Sequence, residues 1–213
     1  MPGLIYTRRA YDDLFSYYAP IGIGVFALFA LAIVFAVIRY RGRPPSAAAR
    51  WHENDRLEGA YALLLACVVA FLLYLTYSAE HKVDSVSAHE QPRLTVDVVA
   101  SKWEWTFSYP AYGITARSGA VGDQPLVVPT GEAVRFELSS LDVIHSFWIP
   151  ALRFKRAAFP GHTQNITLAF GSTGLFQGQC AEFCGLRHPE MIFSVRVVTP
   201  QQFTAWAARG GGS

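Results

Sequence analysis

The sequence predicts a two-helix membrane hairpin at the N-terminus followed by an all-β sandwich or barrel outside the membrane. Three observations carry that expectation. Residues 21–38 form an uninterrupted run of 18 uncharged residues, and residues 59–77 form a second run of 19. Beyond residue 93 the apolar pattern switches to a period of two, in short segments separated by glycine and proline turns. The third observation is chemical: Cys180-Ala-Glu-Phe-Cys184-Gly-Leu-Arg-His188-Pro-Glu-Met191 gathers two thiols, an imidazole and a thioether within twelve residues.

Each apolar run covers about 27 to 29 Å as a helix at about 1.5 Å per residue, close to the hydrocarbon thickness of a bilayer. The chain has 213 residues, 52% of them hydrophobic, which leaves room for such a pair and one modest domain. The first run is too long for the apolar region of a signal peptide. It is preceded by Arg8, Arg9, Asp12 and Asp13, and followed by Arg39, Arg41 and Arg43 rather than by a small-residue cleavage site. Residues 39–58 carry five arginines against two in the N-terminal tail, so this loop is expected on the cytoplasmic side. The N-terminus and everything after Tyr77 then lie in the periplasm or its equivalent, and the expected location is the plasma (inner) membrane of a bacterium. The domain plan is a tail and hairpin over 1–78, a polar linker over 79–93, a β domain over 94–208 and a disordered glycine-rich tail over 209–213.

The net charge of +2 comes from the loop between the spans, because residues 80–213 hold eleven basic and eleven acidic side chains. No dense basic patch with interleaved aromatics occurs, and nucleic-acid binding is excluded on that ground. Strands are expected over 94–100, 103–109, 126–128, 133–138, 143–149, 163–170, 175–179 and 191–198. In the second of these Trp103, Trp105, Phe107 and Tyr109 alternate strictly. Turns fall at Pro129-Thr-Gly131, Pro160-Gly161 and Gly171-Ser-Thr-Gly174. Thr199, Pro200 and Gln202 fit a capping box with proline at the first helical position, so a short helix closes the domain.

Thiolate and thioether are soft ligands and imidazole is borderline, so the twelve-residue segment selects copper or an iron-sulfur species over magnesium and calcium. It holds two of the three cysteines and the one methionine other than Met1. With three residues between them, Cys180 and Cys184 can meet at one point with the Glu182 carbonyl between, and two thiolates can bridge two metals. In an oxidising compartment a plain Cys180–Cys184 disulfide is the other reading. A second imidazole is available 35 residues upstream of Cys180, at His145 on an expected strand. His52, His81, His89 and His162 are less well placed.

Asp142-Val-Ile-His145-Ser-Phe-Trp-Ile-Pro150, the 35-residue gap and Gln179-Cys-Ala-Glu-Phe-Cys-Gly-Leu-Arg-His-Pro-Glu-Met191 together resemble subunit II of the haem-copper cytochrome c oxidases. The hairpin, the segment His52-Glu-Asn-Asp-Arg-Leu-Glu58 and the aromatic strand extend the resemblance over nearly the whole chain. It implies a cupredoxin-like sandwich holding the dinuclear copper centre CuA. Cys180 and Cys184 would bridge two coppers, His145 and His188 supply one imidazole each, and Met191 and the Glu182 carbonyl act as weak ligands. The Glu182 side chain would reach a magnesium ion at the boundary with subunit I. Trp103 would receive electrons from a cytochrome c or another small redox-protein donor, although as a strand residue it also reads as a core aromatic. Glu58 would stand at the mouth of a proton path, although it also reads as an acid favoured at a helix start. The implied activity is oxygen reduction coupled to proton translocation, with the haem chemistry in subunit I, subunit III as a further partner and the lipid bilayer around the hairpin.

The CuA subunit of a haem-copper nitric oxide reductase would use the same module. A membrane-anchored copper chaperone with C-x-x-x-C on a thioredoxin-like fold is a reading of another class, but His188 and Met191 follow the cysteines at once and the domain shows little helical periodicity. Cys67 reads as a small hydrophobe within the second span. Leu65, Ala157 and His162 depart from the family's usual proline, aspartate and arginine. The neutral exported domain also departs from an acidic docking face, so a donor other than a strongly basic soluble cytochrome c is expected.

Overall fold

The computed structural model describes residues 7–44, 53–89, 91–120 and 122–211; Arg50, His52, Gly212 and Ser213 lie outside this set. The chain divides into two units, Asp12–Glu80 and Met1–Tyr11 with His81–Ser213.

The first unit is built on residues 12–40 of helix α1 (Thr7–Tyr40) and residues 55–80 of helix α2 (Asp55–His89). Asn54 starts α2 by accepting the Leu57 N–H on Oδ1 at 3.0 Å, a side-chain cap for an otherwise unpaired donor. The Tyr18 hydroxyl donates to the Leu72 carbonyl at 2.9 Å, joining the early part of α1 to the later part of α2, so the two helices run antiparallel. Their apolar side chains stay uncovered: Phe26 is 74% exposed and Leu63 67%. Helices apolar all round and long enough to span belong in lipid rather than water. α2 also runs beyond the expected span, so that the connector over 79–93 is helical as far as His89. No glycine or proline stands between Gly59 and Pro92, and nothing in that stretch stops a helix once it has started.

Among the described residues the second unit holds ten strands: β1 Leu94–Ser101, β2 Glu104–Tyr109, β3 Ile114–Gly119, β4 Leu126–Pro129, β5 Ala133–Ser140, β6 His145–Ile149, β7 Phe154–Ala158, β8 Gln164–Ala169, β9 Gly174–Cys180 and β10 Ile192–Val198. They form two five-stranded sheets, ordered β3-β2-β1-β5-β8 and β4-β10-β9-β6-β7. The expected sandwich is therefore present. Alternation drives it: Val96, Val98 and Ala100 of β1, Trp105, Phe107 and Tyr109 of β2, and Val195 and Val197 of β10 all turn inward. Between the sheets Phe147 stacks on Phe193 with centroids 4.8 Å apart, and the Trp105 ring meets both edge-on at 5.5 and 5.6 Å.

Two strands were not expected. β3 buries only Ile114, Ala116 and Ser118, too weak an apolar contrast to register. β7 lies at a sheet edge and carries Lys155 and Arg156, charges that protect an edge and mask its periodicity. Strand β2 also starts one residue after Trp103, which lies in the turn from β1, and β6 starts at His145 rather than Val143.

Gly178 of β9 is dictated by contact, since a Cβ there would fall 2.1 Å from Cζ of Phe193. Gly178→Ala is expected to destabilise the domain by about 1–3 kcal/mol through overpacking, measurable as a lower denaturant midpoint at unchanged slope.

Helix α3 (Pro200–Ala208) closes the unit with the expected capping box: the Thr199 side chain accepts from Gln202 N–H, and the Gln202 side chain accepts from Thr199 N–H. Phe203 and Trp206 pack on Tyr109. The tail expected to be disordered from Arg209 is instead turned as far as Gly211, whose carbonyl accepts the Trp206 indole N–H at 3.1 Å. Trp206 gives these glycines a fixed partner that composition alone does not reveal.

Candidate metal centre

The antiparallel ladder of β6 and β9 opposes Phe147 to Cys180, which brings His145, two residues earlier, beside the end of β9. Ala181 N–H donates to Ser146 O at 3.0 Å, extending that attachment into the loop. Cys180 N–H donates to Met191 O at 2.9 Å and ties the two ends of the twelve-residue segment together. Inside it, a 3-10 turn over His188–Glu190 begins with His188 N–H on Gly185 O and folds Met191 back toward the cysteines. Proline at its second position suits such a turn, because its missing N–H has no partner to lose.

Six of the residues singled out in the sequence converge here. The Cys180 and Cys184 sulfurs are free and stand 4.0 Å apart, about twice a disulfide bond length. Nδ1 of His145 lies 3.7 Å from the Cys180 sulfur, and the Glu182 carbonyl lies 3.2 Å from it. Nδ1 of His188 lies 3.4 Å from the Cys184 sulfur, and the Met191 sulfur lies 3.8 Å from it. His145, Cys180, Cys184 and Met191 are buried, while His188 is half-buried. Ligand atoms of His145, Cys180 and Cys184 fall within 4.8 Å of one another and could hold a metal ion.

Electrostatics separate the two thiols. Burial pushes Cys184 up to about 12, and negative charge on Cys180 adds to the rise. Burial acts on Cys180 in the same direction, but hydrogen bonding to His145 outweighs it and lowers the thiol below its ordinary value. The His145 imidazole is raised: burial opposes its charged form, and the Cys180 sulfur and the Asp142 carboxylate overcome that. The shifts of Cys180 and His145 favour opposite charges on those two groups, while Cys184 is held as a neutral thiol. Metal binding would displace those protons, as soft-ligand sites generally require.

Asp142 is the residue whose role was not assigned from sequence. Its Oδ1 lies 2.9 Å from Nε2 of His145 and also accepts the Val143 N–H at 2.7 Å. Its Oδ2 accepts the Lys102 N–H at 2.8 Å. Holding Nε2 leaves Nδ1 for the sulfur side. An aspartate three residues before a candidate ligand histidine was the available signal.

Trp103 is half-buried and rests against the ligand loop, where a Cβ on Gly185 would lie 3.4 Å from the indole Cζ2. Its carbonyl accepts the Ala120 N–H at 3.0 Å. Gly119 permits that approach, since a Cβ there would fall 2.5 Å from the same carbonyl oxygen. The Glu182 side chain is exposed. Glu58 lies in the other unit, exposed in the first turn of α2. His81 and His162 are exposed and do not join the cluster.

Comparison with known proteins gives the same assignment. Residues 94–198, β1 through β10, match the family model for the periplasmic domain of cytochrome c oxidase subunit II. A probable cytochrome c oxidase subunit 2 of Streptomyces coelicolor is 32% identical over 70% of this chain, which spans 58% of that relative's length. Cytochrome c oxidase subunit 2 of Schizosaccharomyces pombe is 28% identical over 96% of the chain and 88% of its own length. Among solved structures, the periplasmic domain of subunit II of cytochrome oxidase from Bradyrhizobium japonicum superposes with a TM-score of 0.54 at 30% identity, covering 57% of this chain and 95% of that domain. With the hairpin, the cupredoxin-like sandwich and the clustered cysteines and histidines in one chain, this protein belongs to the cytochrome c oxidase subunit II family.

Proposed function

We propose that this chain is the electron-receiving subunit of a membrane haem-copper oxidase and holds a dinuclear copper centre of the CuA type. The pairing of donors carries the reading. Each sulfur has one imidazole nitrogen and one weak donor beside it: His145 and the Glu182 carbonyl at Cys180, His188 and Met191 at Cys184. A single copper would use only part of this set, whereas a dinuclear copper centre would be held by all six groups. When bound, such a pair shares one electron and supplies transfer with little change of geometry.

The residues around the donors supply rigidity and orientation. Asp142 holds the His145 ring by Nε2, and β6, β9 and β10 fix the ends of the loop. Trp103 connects the loop to the surface through Gly185 and is the contact at which a cytochrome c-type donor would deliver electrons. The exposed Glu182 carboxylate would bind magnesium at a boundary with subunit I, and Glu58 would accept protons at the membrane edge. Subunit I would carry out oxygen reduction coupled to proton translocation, with subunit III alongside. The two apolar helices would lie in the plasma (inner) membrane of a bacterium, with the β domain in the periplasm.

The full chain, loaded with copper in detergent, is expected to hold two coppers per chain and to give a seven-line paramagnetic signal from one shared unpaired electron. One copper per chain, or a four-line signal from a single copper, would overturn the proposal.

A further inference from the structure

Several of the charged groups around Trp103 are internally paired. Arg187, the residue before His188, reaches Glu190 with Nε–Oε2 and Nη2–Oε2 distances of 2.9 and 2.6 Å. The same guanidinium lies 6.0 Å from the Trp103 ring centroid. Glu104, the residue after Trp103, is paired with Arg117 at 3.5 Å. Asp142 spends its oxygens on His145 and on the N–H groups of Lys102 and Val143. Glu182, the other carboxylate of the ligand loop, is the one assigned above to magnesium. Lys102 is exposed beside Trp103 and adds a positive charge. Next to Arg187 on the same loop, Leu186 is 90% exposed, a bare apolar side chain between two ligand residues.

We propose that Arg187 sets donor specificity: by covering Glu190 beside Trp103 it leaves a face that binds a small redox-protein donor through apolar contact at Leu186 and Trp103, and not through carboxylates that attract a lysine-rich surface. The inference rests on Trp103 being the electron inlet. Its physical basis is that an exposed, unpaired carboxylate at an interface steers a basic partner at low ionic strength, whereas an ion pair within the same surface presents almost no net field at a distance. A donor suited to this face has an apolar, near-neutral contact surface. The Arg187–Glu190 pair is solvent-exposed, so its contribution to stability is small and its removal leaves the fold intact.

The test uses the full chain in detergent with two probes, a lysine-rich cytochrome c and an acidic cytochrome c. Dissociation constants are measured on the copper-free chain and second-order reduction rates on the copper-loaded chain, both from low to physiological ionic strength. The wild type is expected to show weak salt dependence and no marked preference between the probes. Arg187→Gln uncovers Glu190 and is expected to bind the basic probe about tenfold more tightly at low salt, with the gain lost as salt is added. The double variant Arg187→Gln with Glu190→Gln returns to the wild-type pattern, and Leu186→Ser weakens both probes at every ionic strength.

A steep wild-type preference for the basic probe would overturn the inference. An Arg187→Gln variant that matches the wild type, or that weakens both probes equally, would do the same, because Arg187 would then only pack on Trp103. If a Trp103→Ala chain that holds its copper is reduced by both probes as fast as the wild type, the assignment of Trp103 as the inlet fails, and this inference fails with it.

Discussion

Cys184→Ser is expected to abolish the proposed two-copper site while leaving the domain folded. The Cys184 sulfur sits among three other donors, 4.0 Å from the Cys180 sulfur, 3.4 Å from Nδ1 of His188 and 3.8 Å from the Met191 sulfur. A serine hydroxyl occupies nearly the same space but is a hard donor that keeps its proton near neutral pH. It cannot bridge two coppers, and His188 and Met191 lose the atom that relates them to the other half of the site. Loss of groups that merely orient metal ligands costs about 10–100-fold in affinity, so removal of a bridging ligand is expected to exceed about 100-fold. Metal content after dialysis should fall from two coppers per chain to one or none, with loss of the seven-line signal. Copper should raise the melting temperature of the wild type and not of the variant, because only a ligand bound to the folded state shifts the unfolding equilibrium. Without copper the two proteins should differ by about 1 kcal/mol, the scale of an ordinary conservative substitution. A Cys184→Ser protein that retains two coppers would show that the sulfur is not a ligand.

That six candidate donor residues could be named in advance, and that the fold brings them together, reflects their chemistry and the resemblance that completed the set. Cysteine and methionine are scarce in this chain, so their clustering over residues 180–191 stands out without any structure. His145 was harder to place, because β6 reaches β9 only through sheet pairing between segments 35 residues apart. The sandwich was legible where one face is strongly apolar, as in β1, β2 and β10. It was not legible in β3, whose inward residues include alanine and serine, or in the charged edge strand β7. Trp103 shows a subtler failure. It keeps the alternation of β2, yet it belongs to a turn shaped by Gly119 and by Ala120 N–H, and the period of two carries no information about where a strand stops. Asp142 escaped for a related reason: a carboxylate in a loop reveals nothing of the three groups it will hold until β6 and the turn after β1 are in place. The helical extension of α2 to His89 was hidden by its polar composition, although the absence of glycine and proline permitted it.

Phe147→Ala is expected to have the largest effect on stability and to show how far the core holds the metal ligands. The ring is fully buried, lies nearly parallel to Phe193, meets Trp105 edge-on at 5.5 Å and approaches Phe136 at 5.9 Å. Truncation removes contacts to both sheets at once, and a phenylalanine-to-alanine change in such a core costs about 3–5 kcal/mol. Against a typical total of about 5–15 kcal/mol, the denaturant midpoint should fall by about a fifth or more. Phe147 also stands opposite Cys180 in the ladder and two residues from His145, so the cavity opens directly behind the site. Phe107→Ala provides the comparison. Its ring is as buried and also touches Phe193, at 5.5 Å, but it lies on β2 in the other sheet from β6, β9 and β10. Both variants should lose similar stability, and only Phe147→Ala should also lose copper affinity, by about tenfold if a shift of β6 perturbs His145 as the loss of an orienting partner would. Equal copper affinity in the two variants would mean that the loop and Asp142 hold the donors by themselves, with the aromatic core serving stability alone.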